Sequence, residues 1–453
     1  RRVGGGAQPR HEAAPHGRCE RGVDTRFVPR TPPRAVAAGA LRPGLRGVDQ
    51  LLAHDLRVAV SSILVCMTMR QPSRTARRVP AGRLVLLVLV AAAALSGLDA
   101  ALLRLGALAP VRSEPLAAAH GVLMVYGFLG TAIMLERAVA LRSGGGPGDA
   151  WGYAAPAASG VGTVLHLTQV LGLGPDGRLL PGAAWVVATG LLVAVYGAVW
   201  RRQPSFAVLV QALGALAGLG GAALWARGLE AAAIVPWWAA LLVLTIVGER
   251  LELARLAFLA HGTEARVLAE SCAVLVALVA TLVDPAVGYP LLGLVLGVLV
   301  LDVASHDVAR HTIRTTGVTR LMATCMLAGY GWALVAALVW VVGGPALAGF
   351  PYDTVVHALT IGFALSMVVA HAPVIVPAIA RRPLPYHPVL WVAAGLLHLG
   401  LLVRVLAGAR EAEGLWRWGG TVGVVAVLVL LGTVVAQLVT GRRGPVRVCV
   451  AAP

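Results

Sequence analysis

Residues 355–379 read VVHALTIGFALSMVVAHAPVIVPAI, a run with no Asp, Glu, Lys or Arg and with histidines at 357 and 371. A helix needs about 20 apolar residues to cross the ~30 Å hydrocarbon core of a bilayer, and this run supplies them. Eleven further apolar stretches accompany it, giving twelve at about 83–107, 115–140, 153–173, 182–200, 205–226, 232–258, 266–283, 287–303, 319–342, 354–379, 388–408 and 417–440. Short connections with turn chemistry, such as SGGGPGD, GPDGR and VGGP, separate several of them.

Composition agrees with an all-α, polytopic integral membrane bundle. The chain is 58% hydrophobic and 13% charged, with a mean hydropathy of +0.79. Its formal charge of +17 is spread between apolar segments and an N-terminal leader without forming a basic helix face, which argues against a nucleic-acid partner. The five cysteines, Cys19, Cys66, Cys272, Cys325 and Cys449, form no CxxC pair, so neither a disulfide scaffold, an iron–sulfur cluster nor covalently attached haem is expected. No GxSxG, Walker A or HExxH motif occurs, and nothing in the sequence specifies catalysis.

All 38 basic residues are arginine, which with the abundance of Ala, Gly and Val points to a GC-rich bacterial coding sequence. Residues 1–78 are expected to be a disordered Arg/Pro/Gly-rich leader. Within it, residues 1–66 lack methionine and carry 11 Arg against 5 acids, so translation is expected to start at Met67 or Met69. A basic cytosolic tail is the other reading of this stretch. Residues 79–441 form the membrane domain and 442–453 a short cytoplasmic tail. Alternating the loops puts Arg137, Arg142, Arg201, Arg202, Arg250, Arg320, Arg381 and Arg382 on one side, with Arg104, Arg178, Arg227, Arg404 and Arg410 among the fewer on the other. The positive-inside rule then predicts a multi-pass protein of the bacterial cytoplasmic membrane with both termini cytoplasmic.

Five histidines fall inside the apolar stretches: His120, His166, His357, His371 and His398. An imidazole in hydrocarbon needs a hydrogen bond or a metal, so each marks a candidate site. His120 and His357 lie near the outer ends of the second and tenth helices, at equal depth. Two such residues can supply both axial ligands of a haem standing between helices. The second helix presents His120, Met124, Gly127, Thr131 and Met134 as one stripe, and its glycines at 121, 127 and 130 would admit a porphyrin or a neighbouring helix. Alternatively, the glycines serve helix packing and His120 bonds to a neighbour. His166 and His398 are reserve cofactor ligands.

His357 and His371 share a helix face but stand ~21 Å apart along the axis, so they cannot bind one metal together. His371 belongs to a second site or to a kink at Pro373 and Pro377, where it could satisfy the carbonyls of Val369 or Pro373. The spacings His120/Met124 and Met367/His371 allow a copper site of imidazole and thioether. At the inner boundary, Glu249/Glu252 and Asp302/His306 share helical faces that could hold a metal, open a proton path or anchor helices at the headgroups.

The runs AAHGVLMVYGFLGTAIMLERAVAL (118–141) and VVHALTIGFALSMVVAHAPVIVPAI resemble the histidine-bearing helices of the NnrS-like family of bacterial membrane proteins. The arrangement resembles, more distantly, subunit I of the haem–copper oxidases. The resemblance implies a twelve-helix protein of the nitric oxide or redox-stress response that binds haem b or, secondarily, copper. It also implies nitric oxide as a small gas ligand and an electron-transfer partner, and carries axial ligation over to His120 and His357. Helices six and seven lack the oxidases' copper-ligand histidines, so the resemblance does not extend to oxygen reduction. Two other classes fit the helix count: a secondary transporter of a small solute, and a structural subunit whose histidines only bridge helices.

Overall fold

The computed structural model describes residues 79–254, 262–382 and 384–440. The expected leader and C-terminal tail lie outside the described residues.

Twelve principal helices follow in order: α1 Ala81–Arg104, α2 His120–Ser143, α3 Ala154–Val170, α4 Leu179–Arg202, α5 Phe206–Ala226, α6 Ala231–Ala254, α7 Thr263–Val283, α8 Pro285–His306, α9 Gly317–Gly343, α10 Gly349–Ala380, α11 Val389–Gly408 and α12 Glu413–Thr440. Among the described residues, eleven are long and apolar enough to cross a membrane, and α3 is the exception. The stretch predicted over 153–173 forms a helix of only 17 residues behind a 3-10 segment, Pro147–Tyr153, so its rise is about 26 Å. The protein is an all-α, polytopic helical bundle.

Sequential helices pack as antiparallel neighbours, most extensively α5 with α6 and α11 with α12. Local chemistry sets the turns. Ser205 caps α5 by accepting from the Val208 N–H at 3.2 Å, and Asp284 caps α8 by accepting from the Ala286 N–H at 3.0 Å, with Pro285 in the first turn.

Burial separates an inner layer from the outer helices. In the apolar windows of α2, α6 and α10, 72%, 72% and 61% of residues are buried, against 28–56% in the other spans, so these three helices form the centre.

Two of the central helices are not regular. Leu123–Gly130 of α2 and Ala358–Leu365 of α10 are π-helical over eight residues each. A π turn displaces the backbone ladder and leaves carbonyls to be satisfied by side chains. In α2 the Tyr126 carbonyl accepts from the Ser159 hydroxyl at 3.0 Å, and Thr131 donates to Ser159 at 2.9 Å, tying α2 to α3. In α10 Thr360 donates to the Val356 carbonyl at 2.7 Å, while Ser366 donates to the Cys325 carbonyl of α9, also at 2.7 Å.

Candidate functional site

His120 opens α2 and His357 stands immediately before the π segment of α10. His120 Nδ1 lies 2.8 Å from the Gly97 carbonyl of α1, and His357 Nδ1 lies 2.8 Å from the Asp353 carbonyl one turn back. A carbonyl only accepts, so in both rings Nδ1 carries the proton. In the neutral imidazole the lone pair is then on Nε2, the arrangement that second-shell bonds impose on metal-ligating histidines. The two rings are within electrostatic reach of each other, with Arg104 and Arg404 also in reach of His120.

The position of His120 is built from the α1–α2 connection. Asp99, buried in α1, accepts from the Val111 N–H at 3.2 Å, and Ser113 donates to the Val170 carbonyl of α3 at 3.1 Å. A Cβ at Gly97 would come 2.6 Å from Met124 Sδ, so a larger residue there would make the Met124 side chain shift. The thioether of Met124 therefore packs on α1 at Gly97, the residue whose carbonyl accepts from His120.

The position of His357 is built from Asp353. Its carboxylate Oδ1 is 3.1 Å from His357 Nδ1, and Arg404 of α11 clamps the same carboxylate with Nε at 2.8 Å and Nη2 at 2.7 Å. Trp416 of α12 donates its indole N–H to Oδ2 at 2.8 Å, and the Arg404 guanidinium lies 4.5 Å over the Trp416 ring. Three helices thus fix one imidazole. Arg404, read from sequence as a residue of the arginine-poor loops, is a buried ion-pair partner, and Arg83 and Arg250 are buried as well.

The other histidines go elsewhere. His398, the other reserve ligand, bonds within the protein: its Nδ1 accepts from the Trp332 indole N–H at 3.1 Å, so Nε2 carries the proton and donates to Ser366 Oγ at 3.1 Å. With both nitrogens engaged, it bridges α9, α10 and α11 and offers no lone pair. His166 sits edge-on to Trp185 and Trp225, at centroid distances of 5.7 and 5.2 Å. Gln169 is nearby, but neither ring nitrogen has a partner in hydrogen-bond geometry. His371 is buried and donates from Nδ1 to the Met367 carbonyl at 2.7 Å, rather than to the carbonyls released by the prolines, and its Nε2 has no partner. Its ionisable neighbour is Arg250, not His357.

The glycines of α2 serve close packing. A Cβ at Gly121 would meet Trp238 at 3.0 Å, and one at Gly127 would meet Ala93 at 2.9 Å and Thr163 at 3.1 Å. Among the described residues no three His, Cys, Asp or Glu side chains group as metal ligands. Several inner charges are paired: Arg266 of α7 binds Asp302 of α8 through two bonds of 2.8 and 2.7 Å, and Arg137 lies between Glu136 and Glu249, 3.3 Å from the latter.

Sequence reasoning missed Asp353, Trp416 and Gly97. The i, i+4 spacing of Asp353 and His357 was a readable signal, whereas Trp416 and Gly97 act from other helices.

A bundle of apolar helices with ionisable groups held at its centre defines a multi-pass membrane protein. Within that class, the chain belongs to the DUF8744 family, described as a domain of unknown function, which matches residues 83–439 and so takes in all twelve helices to within a turn of their ends. No curated protein and no solved structure matches it.

Proposed function

We propose that the protein binds a b-type haem between His120 and His357 near the arginine-poor end of the bundle, and that it serves in the nitric oxide or redox-stress response of a bacterial cytoplasmic membrane with both termini inside. The observation that supports it is the matched tautomers: two neighbouring imidazoles on central helices, each with Nδ1–H fixed on a carbonyl and Nε2 left as the lone-pair nitrogen. The donor set fits a haem. His120 and His357 would hold the iron, and Arg104, which neighbours His120, would meet a propionate carboxylate. When bound, the haem supplies one-electron transfer or, with one axial position open, binding of a diatomic gas.

The residues of this chain act on orientation and charge. Asp353 keeps the Nδ1 proton on His357 and makes the ring a stronger donor, and Arg404 and Trp416 hold the carboxylate still. The gas ligand and the stress response rest on the resemblance of residues 118–141 and 355–379, and an electron-transfer partner follows if both axial positions are filled.

The test is a reduced-minus-oxidised visible spectrum with pyridine-haemochrome analysis of the purified protein, beside His120→Ala and His357→Ala. A b-type signal lost or shifted in both folded variants is expected. A haem-free wild type from haem-sufficient cells overturns the reading.

A second reading, a secondary transporter of a small solute, draws support from another place. Arg250 of α6 is buried with Nη1 3.4 Å from Met326 Sδ and Nε unpartnered, next to a 20 Å³ cavity that it lines with Thr263, His306 and Asp307. Asp307 accepts from the Tyr330 hydroxyl at 2.6 Å. Buried ionisable groups in a span commonly mark ion or substrate paths. Solute-driven flux into proteoliposomes that Arg250→Gln abolishes would favour it, and unchanged flux would exclude it.

A further inference from the structure

Where α2 and α6 meet towards the arginine-rich end, two carboxylates share one guanidinium. Arg137 bonds to Glu136 beside it on α2 and reaches Glu249 of α6, with Nη2 3.3 Å from Glu249 Oε1. The groups within electrostatic reach of Glu249 are these two, Tyr196 of α4, and Arg250 and Glu252 of its own helix. Arg250 is turned to Met326 Sδ at 3.4 Å, and Glu252 is exposed and adds negative charge. The neighbouring helix α5 has no titratable residue. On the side of α7 and α8, Arg266 and Asp302 bind each other and Asp307 is bonded by Tyr330, while His371 of α10 neighbours Arg250.

Three buried polar side chains stand around these acids without a hydrogen-bond partner. The Tyr196 hydroxyl belongs to a residue 1% exposed, and so does the hydroxyl of Thr245, one turn before Glu249 on the same face of α6. Gln211 of α5 packs so closely on Gly248 that a Cβ there would come 2.4 Å from its Cγ, and its amide nitrogen is unbonded. An unbonded buried hydroxyl is costly. A hydroxyl accepts as well as donates, so a carboxylic O–H beside it gives it a partner. Two carboxylates on a single counter-charge are likewise unfavourable in an enclosed site, and adjacent acids relieve this by sharing a proton. One proton on Glu249 meets both demands.

We infer that Glu136 and Glu249 form one proton-binding site that holds a single proton at neutral pH, carried by Glu249 with its O–H directed to Tyr196 or Thr245 while Arg137 pairs with Glu136. The O–H forms on a Glu249 carboxylate oxygen, and the proton comes from water at the arginine-rich end. The side chains of Glu136 and Glu249 are 18% and 19% exposed, which leaves that water access to them. Release of the proton restores the charge of the Arg137–Glu249 pair and tightens α2 on α6, two of the three central helices. The site rests on neither the haem nor the transport reading.

The test is infrared difference spectroscopy of the detergent-purified full chain, titrated from acid to alkaline pH in water and in deuterium oxide, reading the C=O stretch that only a protonated carboxyl gives. At neutral pH the wild type is expected to show such a band, shifted by deuterium. Glu249→Gln is expected to abolish it. Glu136→Gln is expected to abolish it too, because Arg137 then faces a single carboxylate and the pair stays ionised. Tyr196→Phe and Thr245→Val keep the band, and at least one of them shifts its frequency. Should Glu249→Gln not fold, Glu249→Asp keeps the acid and is expected to move the band, and an unmoved band there overturns the site. A wild type without the band at neutral pH overturns it as well, as does a band undiminished in Glu249→Gln. A band lost in Glu249→Gln but undiminished in Glu136→Gln overturns the sharing, and a frequency unmoved by both hydroxyl variants overturns the placement of the O–H.

Discussion

Asp353 and His357 meet twice across one helical turn: the imidazole Nδ1 lies 2.8 Å from the Asp353 carbonyl and 3.1 Å from its carboxylate Oδ1. The backbone contact alone would set the tautomer. The carboxylate adds charge, and that charge is what draws Arg404 and Trp416 from α11 and α12 onto α10.

Asp353→Asn separates these roles. The amide keeps the shape and the backbone acceptor but leaves the buried Arg404 guanidinium without its counter-charge, which costs about 3 kcal/mol when one member of a buried pair is removed. Unfolding of the purified variant in detergent should show that loss, and Asp353→Asn with Arg404→Gln should recover part of it. An additive double variant would mean that the pair is not coupled. If the haem reading holds, the reduction potential of Asp353→Asn should also rise, because a less electron-rich imidazole stabilises the oxidised iron less.

Gly97→Ala addresses the other histidine from a neighbouring helix. The added methyl would enter the space of Met124 Sδ, on the residue whose carbonyl accepts from His120 Nδ1. Overpacking of this kind costs roughly 1–3 kcal/mol. Gly97→Ala should lower the unfolding temperature, and Met124→Ala in the same chain should relieve it. A Gly97→Ala protein as stable as the wild type would show that α1 and α2 are looser than described.

His398→Leu should act on stability alone. It keeps the volume but strands the Trp332 indole N–H and removes the acceptor–donor bridge to Ser366, for a loss of about 2 kcal/mol. Any cofactor spectrum should stay as in the wild type. A changed spectrum with unchanged stability would return His398 to the list of ligands.

The helical framework was legible from hydropathy because crossing a bilayer imposes length and composition on every span, and the runs around His120 and His357 met both. The shortness of α3 was not, since Tyr153 of the run 153–173 winds with the 3-10 segment and residues 171–173 leave the helix in a turn. The π segments were half visible. GFLGT at 127–131 and GFALS at 362–366 share Gly, Phe and a closing hydroxyl residue, and each occupies the same register of its π segment. Counting from the histidines hides this match, because His120 stands three residues before its π segment and His357 one. Arginine burial was the least legible feature: Arg404 and Arg250 fall near the ends of the stretches 388–408 and 232–258, and the side chains that enclose them come from other helices.

His166 gives the sharpest separation between a ligand and a core residue. Its ring is enclosed by Trp185 and Trp225, and both nitrogens are buried without protein partners. Phe has nearly the same shape and no polar atom, so His166→Phe should remove an unmet hydrogen-bonding demand and keep the edge-on aromatic packing. The variant should be as stable as the wild type or more stable by about 1 kcal/mol, measured as a shift in unfolding temperature. A loss of stability with loss of a visible or metal signal would instead show that an imidazole nitrogen is a ligand, and that the haem site extends to α3.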